Sequence, residues 1–335
     1  MERSRDIEIL NHILVTGGAG YIGAHIVDLL CDKKYNVIVL DNLSSGFRDN
    51  INKKAIFIKG DILDKCILHD IFKKYNIKSI IHMAASKSVE ESILNANKYT
   101  ENNITGSINL IMLSIEYNVE KFIFSSTAAV YGNPQYNPID EKHQLEPMNH
   151  YGFTKLYIEN YINWISKFEK MKFIILRYFN AAGYTSKKNL IKYTEKNPEN
   201  LLPIVMEVAN NTRSYLNIYG NDYDTIDGTC VRDYVHVQDL ADAHIKSLDF
   251  LEKNSNMTFN LSSGMSYSVK EVVDRVNYLL KKPIRFEFSD RRKGDPSILI
   301  SQSDKAQKYL KWKAKYSSLD NILLSMFPYY EINKK

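Results

Sequence analysis

Cysteine is scarce in this chain of 335 residues, where Cys31, Cys66 and Cys230 lie far apart and form no CxxC pair. That spacing excludes a disulfide-stapled miniprotein and favours free thiols in a reducing compartment. Long hydrophobic runs are also absent, because the longest, around residues 108–115, is well short of the ~18 residues that span a bilayer. Residues 1–12 are polar and lack the apolar region of a secretory signal. We therefore expect a cytoplasmic protein with no membrane partner.

An excess of one charge is absent as well. The chain has 44 Lys and Arg against 39 Asp and Glu, a formal net charge of +5, and its lysines are scattered. Nucleic-acid binding calls for a concentrated basic stripe, so we expect no nucleic-acid partner. No histidines form an HxxH or HExxH pattern and no cysteine stands at ligand spacing to one, so we expect no metal site.

Short apolar runs alternate with longer amphipathic segments along the first half of the chain. This alternation predicts βαβ units, and hence an α/β fold with a doubly wound parallel sheet covered by helices on both faces. Beyond Asn180 the sequence becomes more polar and irregular, which predicts a smaller mixed α/β region interleaved with late elements of the sheet. The predicted strands are His12–Thr16, Asn36–Leu40, Ala55–Lys59, Ser79–His82, Lys121–Phe124, Phe173–Leu176, Leu216–Tyr219 and Thr258–Leu261, and the predicted helices are Ile22–Leu30, Asn103–Glu116, Tyr151–Phe168 and Val269–Leu280.

A glycine-rich turn, with Gly17, Gly20 and Gly23, follows the first predicted strand and opens the first predicted helix. Glycines at this spacing permit a tight turn, close approach of the backbone to a pyrophosphate and close helix–sheet packing, and a helix N-terminus favours negative charge. Asp41 ends the next strand, where a carboxylate binds a ribose 2′-hydroxyl and repels a 2′-phosphate. These features predict a Rossmann-type site for NAD rather than NADP, with Asp61 as a candidate for the adenine edge.

Tyr151 and Lys155 place a phenol and an ammonium four residues apart on one face of a predicted helix. A nearby positive charge lowers the pKa of a tyrosine, which suits a group that transfers protons near neutral pH. The chain contains six tyrosine–lysine pairs at this spacing, so the spacing alone decides nothing. Tyr151 differs because it follows the fifth strand, which ends in Ser125-Ser-Thr127, and ligands of parallel sheets gather at the carboxyl ends of strands.

Seven motifs distinguish this chain from a generic dinucleotide-binding protein. They are Thr16-Gly-Gly-Ala-Gly-Tyr-Ile-Gly23, His82-Met-Ala-Ala-Ser-Lys87, Ser125-Ser-Thr-Ala-Ala-Val-Tyr-Gly132, Tyr151-Gly-Phe-Thr-Lys155, Leu176-Arg-Tyr-Phe-Asn180, Gly228-Thr-Cys-Val-Arg-Asp-Tyr-Val-His-Val237 and Arg291-Arg-Lys-Gly-Asp295. Together they resemble the extended short-chain dehydrogenase/reductase family, and most closely its UDP-glucose 4-epimerase branch. The resemblance covers nearly the whole chain.

The resemblance implies an isomerase that uses bound NAD to interconvert UDP-glucose and UDP-galactose through a 4-keto sugar. It implies Tyr151 as the catalytic base and acid, Lys155 as the group that binds the nicotinamide ribose and tunes Tyr151, and Thr127 as the partner of the sugar 4-oxygen. The implied cofactor contacts are Gly17, Gly20, Tyr21, Ile22, Gly23, Asp41, Asn42, Asp61, Ile62, Lys87, Asn103, Phe124, Tyr151, Lys155 and Tyr178.

The same resemblance assigns residues 1–180 to NAD binding and residues 181–335 mainly to the UDP-sugar. Leu299 stands where relatives carry a tyrosine that blocks, or a small residue that admits, an N-acetylated sugar, so we expect intermediate behaviour. The helix Tyr151–Phe168 and the segment Ile104–Ile115 are implied to pair with a second copy in a homodimer. The implied substrate contacts are Lys87, Thr127, Tyr151, Asn180, Asn200, Leu201, Tyr219, Arg232, Arg292, Asp295 and Leu299, whereas Arg291 is interpreted as a surface ion pair.

Other functions stay open. A nucleotide-sugar dehydratase needs acid–base carboxylates, and the dehydratases that the chain resembles carry Asp-Glu after the threonine, where this chain has Ala128-Ala129. A UDP-glucuronate 4-epimerase or decarboxylase is harder to exclude, because a pocket for the sugar carboxylate can be built from scattered residues. A UDP-N-acetylhexosamine 4-epimerase also stays open. A non-catalytic NAD-dependent regulator typically loses the base, whereas this chain keeps Thr127, Tyr151 and Lys155.

Overall fold

A seven-stranded parallel sheet forms the centre of the computed structural model, which describes residues 10–185, 187, 194–195, 198–292 and 295–332. The strands of the described chain are β1 (Asn11–Thr16), β2 (Asn36–Asp41), β3 (Ile56–Lys59), β4 (Asn76–His82), β5 (Lys121–Thr127), β6 (Lys172–Tyr178), β7 (Asn180–Ala182), β8 (Leu216–Tyr219), β9 (Val231–His236), β10 (Met257–Leu261), β11 (Ser266–Ser268), β12 (Phe286–Ser289) and β13 (Ile298–Leu299). The helices are α1 (Tyr21–Asp32), α2 (Lys65–Lys74), α3 (Val89–Leu94), α4 (Ala96–Tyr99), α5 (Gly106–Glu116), α6 (His150–Ile165), α7 (Leu201–Ala209), α8 (Val237–Lys253), α9 (Val269–Leu280), α10 (Asp304–Leu310) and α11 (Leu319–Met326).

The central sheet has the strand order β10-β6-β5-β4-β1-β2-β3, and every neighbouring pair in it is parallel. The order reverses between β1 and β4, and a crevice for a ligand lies at the carboxyl ends of the strands at such a reversal. The predicted doubly wound parallel sheet is confirmed. All eight predicted strands are present, with bounds that differ by three residues or fewer.

Alternating side chains along the strands pack into two separate cores, one on each face of the sheet. On one face Val15 and Ile123 pack with α1 and α8, for example with Ile26 and Leu240. The other face packs against α2, α5 and α6, and there the buried residues include Leu14, Phe122, Leu68, Leu110 and Ile158. Two covered faces explain why the strands are nearly continuous apolar runs.

The smaller region is built from two short sheets and their helices. Strands β7, β9, β11 and β13 form a four-stranded sheet, while β8 pairs with β12. These strands share a core with α7, α9 and α11, and its fully buried residues include Val205, Val273 and Ile322. The chain nonetheless returns to the large sheet after residue 180, because β10 pairs with β6 and α8 packs beside α1. The functional division at residue 180 stays a prediction.

The helix bounds differ from prediction at specific points. Helix α6 begins one residue before Tyr151, where the side chain of Asn149 accepts a hydrogen bond from the backbone of Gly152 and caps the helix. The predicted helix Asn103–Glu116 is preceded by a π-helical turn over Thr100–Thr105 and becomes regular only in α5. Most of the predicted polar loop between residues 184 and 200 lies outside the described residues.

Candidate active site

The turn between β1 and α1 has no room for side chains. Gly17 has a φ of +71°, and a Cβ there would lie 2.6 Å from the backbone nitrogen of Ala84. A Cβ on Gly23 would lie 2.2 Å from the carbonyl oxygen of Gly17. Gly20 lies immediately before α1, and its backbone is extended. Because glycine has no side chain, Gly20 leaves the first amides of the helix without a side-chain cap. This cradle fits the pyrophosphate of a dinucleotide, which such amides bind.

Acidic side chains lie at the ends of the neighbouring strands. The buried carboxylate of Asp41 accepts hydrogen bonds from the backbone nitrogens of Ala19 at 2.9 Å and Leu43 at 2.8 Å. Burial raises the pKa of Asp41 above its ordinary value, and both backbone hydrogen bonds oppose that rise. The amide of Asn42 donates to Asp61 at 2.8 Å. Asp41, Asn42 and Asp61 thus lie together beside the glycine turn, as the NAD prediction requires.

The other predicted cofactor contacts are distributed over several elements. The phenol of Tyr21 donates to the carbonyl of Gly183, and Ile22 packs against the α1–α8 core. Ile62 is buried in the core on the opposite face of the sheet. Lys87 is exposed and forms an ion pair with Glu195, which sequence reasoning missed because Glu195 lies in the polar loop far along the chain.

Asn103 is buried and bonds to the turn after β4. Its side-chain oxygen accepts from the backbone nitrogen of Ser86 at 2.8 Å, and its nitrogen donates to the Ser86 carbonyl at 3.0 Å. The same nitrogen donates to the hydroxyl of Thr154 at 3.1 Å. Asn103 therefore ties the loop that carries Lys87 to helix α6, beside the predicted nicotinamide region.

The three predicted catalytic side chains come together at the carboxyl end of β5. The hydroxyl of Thr127 lies beside the phenol of Tyr151, where it acts to lower the pKa of that phenol. The buried ammonium of Lys155 donates to the carbonyl of Ser125 at 2.9 Å and lies 4.9 Å from the centroid of the Phe124 ring. Tyr178 lies beside this cluster on the next strand, since it is the register partner of Thr127, and Ser125 acts to lower the pKa of its phenol.

Burial dominates the ionisation of both helix residues. It raises the pKa of Tyr151 to about 12, while the hydrogen bond from Thr127 lowers it, and it lowers the pKa of Lys155 to about 8. The prediction that Lys155 lowers the pKa of Tyr151 is therefore wrong for the protein without bound ligands. The physical reason is desolvation, which disfavours a buried phenolate and a buried ammonium alike. Near neutral pH the phenol keeps its proton and Lys155 keeps its charge.

Histidines near this cluster are core groups. His82 lies between the hydroxyls of Thr16 and Ser107, at 2.7 and 2.8 Å, and burial lowers its pKa to about 3. His236 caps helix α8, and burial likewise lowers its pKa to about 3. Both are therefore buried histidines whose ring nitrogens have hydrogen-bond partners within the protein. Among the residues that the structure describes, no three His, Cys, Asp or Glu side chains are grouped to hold a metal ion, and no helix is long and apolar enough to cross a membrane.

A second group of predicted residues surrounds strand β9. Arg232 lies on β9 opposite Leu299 of β13, and its guanidinium is 3.5 Å from the carboxylate of Asp295. Leu299 is partly buried and packs against a small core that contains Phe179. Asn180 joins the same sheet, since its amide donates to the carbonyl of Asp233 at 3.0 Å.

The remaining substrate candidates lie on the other side of this region. The guanidinium of Arg292 lies 4.0 Å from the centroid of the Tyr219 ring at the end of β8. Asn200 and Leu201 occupy the cap and the first residue of α7. Arg291 pairs with Asp222 at 2.7 Å on the surface, as expected.

Comparison with known proteins decides the family. The profile of the family described as GDP-mannose 4,6 dehydratase matches residues 14–326. A UDP-glucose 4-epimerase from Halalkalibacterium halodurans is 43% identical over 313 residues, which are 93% of each chain. The crystal structure of the UDP-glucose 4-epimerase from Brucella ovis in complex with NAD is 35% identical, with a TM-score of 0.93 over 97% of this chain and 100% of that one. The UDP-Glc/GlcNAc 4-epimerase from Campylobacter jejuni is 38% identical, with a TM-score of 0.83 over 96% and 99%.

The chain belongs to the UDP-glucose 4-epimerase family. This membership confirms the predicted relation to the extended short-chain dehydrogenase/reductases, and with it an enzyme that uses NAD. It also favours a 4-epimerase over the dehydratase and the non-catalytic regulator.

One buried group in this UDP-glucose 4-epimerase family member escaped sequence reasoning. Glu159, on α6, forms a buried ion pair with Arg177 of β6, and Ser126 donates to the same carboxylate. The sequence does contain an indication of this residue. A carboxylate stands four residues after Lys155, with the apolar Ile158 before it and Ile162 one helical turn after it. Such a residue lies on the buried face of the helix, where a lone charge is costly.

The geometry of Asp41 generates a prediction for cofactor binding. We expect Asp41→Asn to weaken NAD binding about tenfold or more, since hydrogen bonds to a charged group contribute roughly 1.5–3 kcal/mol. We also expect a narrower preference for NAD over NADP, because the neutral amide no longer repels a 2′-phosphate. Titration of NADH and NADPH by fluorescence measures both effects. Asp70→Asn, an exposed change on α2, is the control, and an unchanged affinity ratio in Asp41→Asn contradicts the role.

Proposed function

We propose that this protein interconverts UDP-glucose and UDP-galactose by reversible oxidation at C4 of the hexose. The observation that carries the proposal is the meeting of Thr127, Tyr151 and Lys155 at the carboxyl end of β5. This end faces the same edge of the sheet as the glycine turn after β1. A proton-transfer group and a dinucleotide cradle at one edge are what a C4 epimerase needs.

The chemistry follows from the carbon that is inverted. The C4 hydrogen of a hexose is not acidic, so simple deprotonation cannot invert that centre. Oxidation to a ketone removes the stereocentre, and reduction of the opposite face restores it inverted. When bound, NAD supplies the hydride acceptor and the hydride donor, while the protein supplies position and electrostatics.

The side chains of the cluster divide the proton transfer between them. The Oη atom of Tyr151 accepts the proton of the 4-hydroxyl as the alcohol is oxidised and donates it back when the ketone is reduced. Thr127 orients the phenol and contacts the sugar 4-oxygen. Lys155 holds the nicotinamide ribose and offsets the negative charge of the phenolate. Because burial outweighs the effect of Thr127 and raises the pKa of Tyr151 to about 12, the proton leaves only when further positive charge is bound beside it.

We propose that the remaining contacts hold the ends of the two ligands. The cofactor lies on the glycine turn, with Asp41 at the adenosine ribose and Asn42 and Asp61 nearby. Further proposed cofactor contacts are Tyr21, Ile22, Ile62, Lys87, Asn103, Phe124 and Tyr178, and Lys87 also reaches the substrate. In our proposed division, residues 1–180 bind NAD and residues 181–335 mainly bind the UDP-sugar.

The proposed binding site for the UDP-sugar lies around β9. Arginine suits a diphosphate because its forked donors match two oxygens, and Arg232 is fixed at the strand by its hydrogen bond to the Val231 carbonyl at 2.9 Å. The guanidinium of Arg292 lies over the ring of Tyr219, 4.0 Å from its centroid, and supplies the second proposed cation for the diphosphate. The other proposed contacts are Asn180, Asn200, Leu201 and Asp295.

The role of Tyr151 generates a direct prediction. We expect Tyr151→Phe to abolish epimerisation, a loss of at least about 10²–10⁴-fold from the missing acid–base group. NAD stays bound, because the glycine turn and Asp41 are untouched. Turnover of UDP-galactose to UDP-glucose, and the NAD content of the purified protein, measure the two properties.

Tyr278→Phe is the matched control, since Tyr278 and Lys282 form another pair at the same spacing and Tyr278 is 70% exposed. Full turnover by Tyr151→Phe removes that residue from its assigned role. Loss of deuterium from C4 of the sugar to bulk water during wild-type turnover refutes the hydride mechanism as a whole.

Leu299 generates a prediction on sugar size. Leu299 is intermediate in volume between tyrosine and glycine, so we expect good turnover of UDP-glucose and UDP-galactose and weak or moderate turnover of the N-acetylhexosamine pair. We expect Leu299→Tyr to remove the second activity and Leu299→Gly to increase it about tenfold, within the range of 1–3 kcal/mol for small steric changes in a pocket. Assays of both substrate pairs decide this. Equal turnover of the two pairs by the natural chain contradicts it.

We also propose that a second copy of the chain packs on helices α5 and α6. Aromatic side chains recur every three or four residues along the outer face of α6, and the phenol of Tyr161 donates to the sulfur of Met112 on α5 at 3.1 Å. Trp164 is 62% exposed and Phe168, just beyond α6, is 71% exposed. Exposed apolar patches of this kind mark interaction sites. The exposed members of this face are Met112, Phe153, Tyr157, Trp164 and Phe168.

This face generates a prediction on assembly. We expect a homodimer for the natural chain and a monomer for Trp164→Glu, because a charge buried within the interface would be uncompensated. Light scattering after size-exclusion chromatography measures the mass. Tyr278→Glu, an equally exposed aromatic on α9, should leave the dimer intact. A Trp164→Glu protein that remains dimeric places the interface elsewhere.

The cysteines support a reducing location, which we propose to be the cytoplasm. Cys31, Cys66 and Cys230 are free thiols in the structure, and Cys66 is exposed. An exposed free thiol is stable against oxidation only where the surroundings are reducing.

A further inference from the structure

A buried carboxylate connects the elements that carry the catalytic side chains. Glu159 is 1% exposed and lies one helical turn after Lys155 on α6. Its carboxylate accepts hydrogen bonds from Nε of Arg177 at 3.0 and 3.1 Å and another from the hydroxyl of Ser126. Ser126 immediately precedes Thr127 in the chain. The hydrogen bond between Ser126 and Glu159 therefore lies next to the proposed partner of the sugar 4-oxygen.

The same connection reaches β6. Arg177 immediately precedes Tyr178 on β6, and its guanidinium also donates to the phenol of Tyr131 at 3.0 Å. That phenol donates to the side chain of Asn260 on β10 at 2.5 Å. One carboxylate thus joins α6 to the ends of β5 and β6, and its partner extends the connection to β10.

The cost of this arrangement points to a role besides stability. Arg177 is 4% exposed, and a buried ion pair of this kind is frequently no more stabilising than two apolar side chains of similar volume. An apolar pair in its place would pack the helix against the strands equally well. It would not place a negative charge one turn from Lys155.

We propose that Glu159 is a positioning residue for the reaction: it holds α6 in register with β5 and β6, and its negative charge keeps Lys155 an ammonium. This inference rests on the proposed roles of Tyr151 and Lys155. Glu159 has no contact with the reacting atoms, and it acts through Lys155.

Electrostatics around Lys155 make the inference testable by pH. Burial lowers the pKa of Lys155 to about 8, and the charge of Glu159 acts to raise it. The two nearby histidines have pKa values that burial lowers to about 3 and about 4, so both are neutral above pH 6. The nearby phenols have raised pKa values and the guanidinium stays charged. Glu159 on α6 and His82 on β4 interact electrostatically with Lys155. The further titratable or charged groups of the described cluster are Tyr151 on α6, Tyr178 on β6, His244 on α8, which bonds to Ser125, and Arg177, which pairs with Glu159.

Three variants separate charge from packing. Glu159→Gln keeps the shape and removes the negative charge, so we expect the alkaline decline of kcat/KM to move down by about half a pH unit or more. Arg177→Met leaves Glu159 without its cation, so the decline should move up. Ser126→Ala removes one hydrogen bond and keeps both charges, so the decline should stay in place. We expect Glu159→Gln to lower kcat more than it raises KM for UDP-galactose, since Glu159 does not contact the sugar.

The opposite shifts of Glu159→Gln and Arg177→Met are the decisive result, because general damage to the fold moves both profiles in one direction. A Glu159→Gln profile that coincides with the natural one overturns the inference. If either single variant shows no cooperative thermal transition, the double variant Glu159→Met with Arg177→Met is tested instead. It leaves no unpaired buried charge. Its alkaline decline should move down by less than that of Glu159→Gln, because Glu159 acts directly on Lys155 whereas Arg177 acts on it through Glu159. An unmoved decline overturns the inference.

A second readout keeps this inference separate from the proposed function. Turnover of UDP-galactose by the natural chain tests the proposed function by itself. The affinity for NAD, measured between about pH 6 and pH 10, reports the ionisation of Lys155 whether or not the sugar reacts, because an ammonium binds the ribose better than an amine. We expect the alkaline decline of NAD affinity to move down in Glu159→Gln and up in Arg177→Met. If the decline moves in neither variant, the role of Glu159 is rejected.

Discussion

The close packing of α1 on β1 is the constraint on which the site depends. With Gly23 almost touching the carbonyl of Gly17, the helix begins directly at the carboxyl end of the strand, where the strand order reverses. This contact places a positive helix end next to Asp41 on one side and opens the crevice towards β4 and β5 on the other. The catalytic cluster can lie within reach of a bound dinucleotide only because the helix comes this close. The rest of the sheet supplies side chains to a space that this contact defines.

Desolvation is the second organising force, and it acts on both members of the catalytic pair in opposite directions. It keeps the phenol of Tyr151 protonated and weakens the hold of Lys155 on its proton. The spacing of Tyr151 and Lys155 along the helix therefore does not by itself give the two groups pKa values that suit proton transfer. In our proposal the surrounding charges decide when the pair reacts, which assigns Glu159 and Arg177 a part in the site although neither contacts the reacting atoms.

Much of this fold could be predicted because its signals are local. Buried parallel strands are continuous apolar runs, and a glycine turn between strand and helix is visible in a few residues, so the sheet and the cradle followed from the sequence. Short strands such as β7 and β13 could not be predicted, since their pairing partners lie far along the chain. The sign of the Tyr151 pKa change failed for a related reason. The spacing to Lys155 is a property of the helix, whereas burial is a property of everything packed around it, and Glu159 became visible only with its partner on β6.

The pairing of β9 with β13 couples two properties of the site that are usually discussed apart. Arg232 and Leu299 are register partners on adjacent strands, so the proposed anchor for the nucleotide and the proposed wall beside the hexose share one backbone ladder. In this proposal, a shift of β13 that enlarged the sugar pocket would also displace the guanidinium of Arg232. Exchange of the side chain at position 299 leaves the ladder intact. Divergence of this scaffold towards bulkier sugars is therefore channelled into single replacements at that position, because rebuilding the loop would sacrifice affinity for every nucleotide sugar at once.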